Sequence, residues 1–278
     1  MNPKYLLDKN DILPKKSLGQ NFLQDPNTLE KIANAAEIGR EDTVLEIGAG
    51  TGALTVKLAQ RAGHVLAVEI DERLIPILHH QLGEFRNVSV VQADISTTDI
   101  DTLVGEGDYC VVANLPYYIT SAILRDLFEA KNKPKRIVVT VQLEVAERLV
   151  ATPGNMSLLS VSAQFYGKPQ IVTRLNPAVF YPRPEVHSAV VRIDMYRQPP
   201  VNVPDAGSFF KVVRAGFKQK RKQIKNSLGS GLEISHPAAA ALLSQAGVDP
   251  MRRAETLTLE EWAAVTRVVS AAEPQRFA

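Results

Sequence analysis

Asn114-Leu115-Pro116-Tyr117 brings an amide, a steerable backbone carbonyl and an aromatic ring together within four residues. An exocyclic amine such as that of adenine has two hydrogens to donate, and the Asn114 side-chain oxygen and the Leu115 carbonyl can accept them. Tyr117 can stack on the base that carries the amine. Pro116 fixes φ and removes a competing N–H, so the Leu115 carbonyl can be aimed. Asn and Pro are also common turn formers, and the four residues alone fit a strand-to-loop turn equally well.

A second group is Glu46-Ile47-Gly48-Ala49-Gly50-Thr51-Gly52. Glycines here permit a tight turn and let backbone approach a ligand, with a helix N-terminus facing it. The run 48–53 also satisfies the G-x-G-x-x-G/A dinucleotide pattern, and Glu69 lies about where that pattern wants its ribose-binding acid. On these residues alone a nicotinamide cofactor stays open. Three features favour S-adenosylmethionine: the E-x-G-x-G-x-G form of the loop, Asp94 placed to accept from an adenine amino group, and the Asn114 motif one strand further on.

The elements that must position these groups follow from hydrophobic patterning. Strands are predicted over 43–47, 65–70, 88–92, 109–113 and 136–142, with helices near 52–61, 71–83, 120–130 and 143–150. Such alternation predicts βαβ units and a doubly wound, mostly parallel Rossmann-like α/β sheet, closed by further strands at 158–165 and 189–195. Glu46, Glu69, Asp94 and Asn114 then fall at or near successive strand ends, where open α/β sheets bind ligands. The stretch 198–204 carries three prolines in seven residues and reads as a linker. Beyond it the pattern is helical, over 205–228, 237–246 and 258–270, the last with a capping box of Thr258 and Glu261. A methyltransferase-type domain over 1–198 and a small all-helical domain over 199–278 are expected.

Composition narrows the class. The net charge is +2, so a nucleic-acid partner must be argued from where charge sits. Cys110 is the only cysteine, inside an apolar run, which excludes an internal disulfide and fits a reducing cytosol. The five histidines show no metal-ligand spacing, and no metal is expected. No run approaches the roughly 18 apolar residues of a membrane span, and the first residues lack a signal peptide's apolar core. A cytoplasmic protein is expected.

At this point the chain resembles the rRNA adenine N6-methyltransferases, and among them the bacterial small-subunit dimethyladenosine transferases. The matching residues are 15–23 (Lys-Lys-Ser-Leu-Gly-Gln-Asn-Phe-Leu), 46–52, 114–117, 180–188 (Phe-Tyr-Pro-Arg-Pro-Glu-Val-His-Ser), Phe217 with the basic run after it, and Arg253-Ala254-Glu255. Resistance methylases of large-subunit rRNA share the first four in looser form. The segment after Gly154 departs from the family by being shorter and lacking a Tyr-Gly pair.

The resemblance implies S-adenosylmethionine as cofactor and residues 1–25 as a segment over it. Gln20, Asn21 and Leu23 would line its methionine end, Gly48 would approach by backbone, Glu69 would hold the ribose and Asp94 the adenine. Asn114 and Leu115 would hold the target amine, with Tyr117 and Phe180 flanking the base. The substrate would be two adjacent adenosines in a hairpin loop near the 3′ end of small-subunit rRNA, within a ribosomal precursor, each methylated twice by a monomeric enzyme. A nicotinamide oxidoreductase and a non-catalytic assembly factor are the competing classes.

The densest positive segment runs from Lys218 to Lys225 and includes Arg221. On one continuous helix, Lys211, Arg214, Lys218, Lys222 and Lys225 would share roughly an 80° arc. Phe210, Val213, Phe217, Ile224 and Leu228 would form a separate apolar stripe packed on the sheet domain. Most charge runs are solvated helix faces. Beside an RNA-type site, phosphate contact is the expected role.

Overall fold

The computed structural model describes residues 2–272, so Met1 and 273–278 of the two expected domains lie outside the described residues. The chain opens with α1 (Pro3–Lys9), the two-residue strand β1 (Phe22–Leu23) and α2 (Pro26–Ala35). Then follow β2 (Thr43–Ile47), α3 (Ala53–Ala59), β3 (His64–Glu69), α4 (Ile75–Leu82) and β4 (Val88–Gln92). The return half comprises α5 (Ile100–Val104), β5 (Tyr109–Asn114), α6 (Thr120–Glu129), β6 (Arg136–Gln142) and α7 (Leu143–Leu149). After these come α8 (Leu158–Tyr166), β7 (Gly167–Leu175), β8 (Phe180–Tyr181) and β9 (Ser188–Met195).

Among the described residues the main sheet has the strand order β4-β3-β2-β5-β6-β9-β7. Strands β2 to β6 are parallel to their neighbours, and β9 runs antiparallel to β6. The chain winds outward from β2 to β4 and then restarts at β5 on the other side, so β2 and β5 flank the topological switch point. Their carboxyl ends open a crevice there. The central strands are apolar on both faces: Val111, Val112, Ala113, Val138 and Val139 are all fully buried, as a sheet covered by helices on each side requires. Cys110 lies in this core, and burial pushes its thiol up to about 11, which suits packing and not nucleophilic work.

Contacts divide the chain into two compact units. The first is Met1–Glu147 with Lys168–Met195, and the second is Arg148–Gly167 with Tyr196–Ala278. This corrects the expected single boundary at 198/199. The reason lies in α8. Residues 158–165 are helix, not the expected strand. Ser157 and Ser160 form a reciprocal capping box at its start, and Ser160 Oγ donates to the Arg148 carbonyl. The buried Val161 and Phe165 then join the helical unit's core, where Phe165 stacks on Phe209 with ring centroids 4.4 Å apart.

The second unit continues with α9 (Ala206–Phe217), α10 (Ile224–Leu232), α11 (His236–Gln245) and α12 (Leu259–Ala272). The expected continuous helix over 205–228 is broken at 218–223. Close packing explains the break: a Cβ on Gly231 would lie 2.4 Å from Ala215 Cα, an approach the chain reaches only by turning back. The apolar stripe therefore packs within its own unit, around the fully buried Trp262, and not on the sheet. The 198–204 stretch is likewise no free linker, because Val201 belongs to that core. Thr258 and Glu261 form the expected capping box on α12.

Candidate active site

The crevice at the switch point is walled by residues from both halves of the sheet and by the N-terminal segment. One part is lined by Leu18, Gly19, Gln20, Asn21 and Phe22 against Gly48, Gly50, Glu69, Ile70 and 114–117. A second part is lined by Asp94, Ile95 and Ser96, and shares Leu18, Gly48, Ile70 and Pro116 with the first. A third lies toward Leu23, Leu29, Glu46 and Thr51, again against Gly48 and Asn114.

The glycine loop gives the crevice its floor. Gly48 and Gly50 adopt φ of +77° and +60°, the left-handed region that side chains disfavour. A Cβ on Gly50 would stand 3.0 Å from the Phe22 ring, and one on Gly48 would stand 3.6 Å from the Asn114 carbonyl oxygen. Bare backbone is what keeps this space open.

Strand register places three polar side chains on one sheet face. Glu46 pairs with Val112 of β5 and Ala67 of β3, so it shares a face with Asn114 and Glu69, each two residues further on. Glu69 is buried and accepts from the Gly50 N–H at 2.7 Å and the Asp71 N–H at 2.9 Å. Burial nevertheless raises its carboxyl above the ordinary range. Glu46, one layer below, is fully buried; burial pushes its carboxyl up to about 8, with Thr55 opposing the rise and the Glu69 charge adding to it.

Asn114 is half-buried at the end of β5, and its Nδ2 donates to the Asn21 carbonyl at 2.8 Å. That bond fixes the amide's orientation and reserves Oδ1 for another donor. The Leu115 N–H is held by the Thr140 carbonyl, while the Pro116 carbonyl accepts from Thr120 Oγ1 at 3.0 Å. The motif is thus rigid from both sides. Tyr117 is half-buried, and its hydroxyl lies 2.7 Å from Ser188 Oγ, which pins the ring. Ser188 was not singled out by sequence; its place in 180–188 was the available signal.

The structure therefore brings Gln20, Asn21, Gly48, Glu69, Asn114, Leu115 and Tyr117 to one crevice, with Asp94 and Leu23 on its adjoining parts. Asp94 uses Oδ1 for the Ser96 N–H and hydroxyl. Phe180 is the exception. It is 1% exposed, sits opposite Leu23 in a two-stranded pairing, and packs with Leu23 and Leu29 in the core. Its ring does not line the crevice.

The basic residues lie in the second unit. Lys211 and Arg214 are exposed on α9, while Lys218, Arg221 and Lys222 occupy the turn 218–223, with Lys225 on α10. They form no single helical arc, contrary to the expected alignment. Lys222 repelling Lys218 one turn away would oppose a helix there, and the turn lets each charge solvate separately. Lys218 Nζ donates to the Ser230 carbonyl, and Lys225 Nζ lies 3.1 Å from Met251 Sδ.

Comparisons agree with this geometry. A family model described as ribosomal RNA adenine dimethylase matches residues 13–270. A relative from Moorella thermoacetica, named ribosomal RNA small subunit methyltransferase A, is 47% identical over 276 residues, 95% of each chain. One of the same name from Dehalococcoides mccartyi (strain CBDB1) is 45% identical over 260 residues, 93% of this chain and 89% of the relative. Among solved structures, the 23S rRNA methyltransferase ErmE superposes with a TM-score of 0.74 at 30% identity, covering 90% of this chain and all of that one. A Plasmodium falciparum dimethyladenosine transferase gives 0.77 at 24% identity over 92% and 98%, a likeness of fold. These matches do not favour the nicotinamide reading.

S-adenosylmethionine fits the residues present: Glu69 and Asp94 offer acceptors at successive strand ends for a diol and an adenine amine, and the bare Gly48–Gly50 backbone leaves room between them. Among the described residues no group of His, Cys, Asp and Glu could hold a metal ion, and no helix is long and apolar enough to cross a membrane. The chain belongs to the ribosomal RNA adenine dimethylase family, enzymes whose methyl donor is S-adenosylmethionine.

Proposed function

We propose that the protein transfers two methyl groups to N6 of each of two adjacent adenosines in a hairpin loop near the 3′ end of small-subunit rRNA. It would act as a monomer, in the cytoplasm, on a ribosomal small-subunit precursor. The observation that carries this reading is the Asn114 amide, held through Nδ2 by Asn21 so that Oδ1 is kept as an acceptor beside Leu115 and Tyr117. The small-subunit assignment is supported by relatives of that name at 41–47% identity.

N6 of adenine is a poor nucleophile because its lone pair is delocalised into the ring. Asn114 Oδ1 and the Leu115 carbonyl would accept its two hydrogens and favour a pyramidal nitrogen whose lone pair points along the transfer axis. The cofactor, when bound, supplies an electrophilic methyl on a sulfonium. Gln20, Asn21 and Leu23 would enclose its methionine end, Glu69 the ribose and Asp94 the adenine. Rate enhancement then comes from positioning and from acceptors already aimed at the charge that develops on nitrogen. That nitrogen sheds its proton to water, so no strong base is needed.

The target base must leave its stack to enter the crevice. Tyr117, with its ring pinned by Ser188, would flank it, a contact worth about 1–3 kcal/mol. Phe180 can complete the sandwich only by leaving the cluster it occupies with Leu23 and Leu29. Lys211, Arg214, Lys218, Arg221, Lys222 and Lys225 would meet phosphates of the rRNA.

Radiolabelled methyl transfer to undermethylated small subunits, followed by nucleoside analysis, tests the reading. Dimethyladenosine in small-subunit rRNA is expected. Label appearing only in large subunits supplied alongside, or only monomethyladenosine at completion, would overturn it.

A further inference from the structure

Asp71 stands two residues beyond the ribose-side acid Glu69, and its carboxylate is fully buried. Five groups converge on it. Arg73 grips both oxygens, Nε to Oδ1 at 2.9 Å and Nη2 to Oδ2 at 2.6 Å, and the Arg73 backbone N–H reaches Oδ1 at 3.3 Å. From the N-terminal segment, Gln20 Nε2 donates to Oδ2 at 2.8 Å and Lys15 Nζ lies 3.8 Å from Oδ1. Arg73 also donates from Nη1 to the Leu13 carbonyl.

A helix cap accounts for only one of these contacts. Asp71 begins a single 3₁₀ turn, Glu72–Leu74, and a serine would serve that end as well. The remaining contacts tie residues 13–20 to the end of β3. Gln20 is held twice, because its Oε1 also accepts the Lys15 N–H at 2.7 Å. The next residue, Asn21, presents its carbonyl to Asn114 Nδ2. On the far flank, Phe22 and Leu23 pair with Tyr181 and Phe180, and Gln24 bonds to the Val179 carbonyl. Residues 18–22 thus span the crevice between two anchorages, one a strand pairing and the other the single carboxylate of Asp71.

We propose that Asp71 is a positioning residue that latches residues 13–20 across the cofactor crevice and, through Gln20 and Asn21, orients the Asn114 amide. It touches neither cofactor nor base. The chain of contacts runs from the Asp71 carboxylate to Gln20, along one peptide to the Asn21 carbonyl, and from there to Asn114. The Asp71 backbone N–H holds Glu69 independently, so a side-chain change leaves that bond in place.

The inference concerns cofactor retention and stands apart from the choice of RNA, so its test contains no RNA. Asp71→Ser keeps a capping hydroxyl and removes the latch; Gln20→Ala cuts the same link from the exposed side. In the free protein, hydrogen exchange over residues 13–24 should rise by about tenfold in either variant, the order expected for losing a charge-assisted hydrogen bond, with the sheet's protection unchanged. Release of S-adenosylhomocysteine should accelerate by a similar factor, and the double variant should be no worse than Asp71→Ser alone. The melting temperature should stay at the wild-type value. Wild-type exchange and wild-type release in both variants would overturn the proposal. So would a general rise in exchange across the sheet, which would make Asp71 a fold-holding charge only.

Discussion

Asn114 donates through one end of its amide and offers the other, so the two ends can be tested apart. Asn114→Ala removes both and should lower kcat by about 10²–10³, the usual loss for one preorganised polar group, with a smaller change in S-adenosylhomocysteine affinity. Single-turnover methyl transfer and calorimetry separate the two effects. Tyr117 divides similarly. Tyr117→Phe keeps the ring but strands the buried Ser188 hydroxyl, costing about 1 kcal/mol of stability in denaturant unfolding with activity largely kept. Glu46 gives a pH signature. Its carboxyl is raised in the fold from 4.5 to about 8, so the protonated form is favoured there. Its contribution to stability is fully present below 4.5 and is lost as pH rises through about 8. Glu46→Gln, compared with wild type by thermal melting across that window, should gain relative stability toward the alkaline end. At this scale much of the site was legible, because strand-end acids, glycines and the Asn114 motif are residue types with few other reasons to fall in that sequence. Ser188 and Asp71 were not, since a lone serine or aspartate gains its meaning only from partners distant in the chain.

Elements were legible where burial dictates pattern. Strands β2, β4 and β6 have the predicted bounds, because parallel strands covered on both faces read as unbroken apolar runs. Two errors share one cause. The 158–165 run mixes leucine, valine and serine in a way that suits strand or helix, and only the Ser157–Ser160 cap decides it. The 205–228 run keeps a helical apolar stripe straight through a turn, because periodicity records which residues are buried and not against what. Small residues carried the missing information: Gly216 and Gly231 mark where helices meet most closely. A Cβ on Gly216 would lie 2.3 Å from the buried Trp262 ring, so Gly216→Ala should destabilise the helical unit by about 1–3 kcal/mol. Denaturant unfolding followed by Trp262 fluorescence reads this directly, since Trp262 is the only tryptophan.

At the scale of the whole molecule, charge placement matters more than the net +2. Lys222 lies exposed in the 218–223 turn, and Lys222→Ala should weaken RNA binding across sequences and reduce the salt slope of the affinity by about 1. Filter binding over a salt series checks it, and an unchanged slope would remove this turn from the binding surface.

The α8 segment carries a different kind of consequence. The chain passes from one compact unit to the other after Glu147, returns after Gly167, and passes again after Met195. Modularity along the sequence is therefore lost: cutting at 198 would leave Val161 and Phe165 of α8 stripped of Phe209 and Phe210, greasy surface on an orphaned helix. A chimera built to exchange substrate preference between relatives would have to transplant 148–167 together with the carboxyl-terminal stretch, as two grafts made at once.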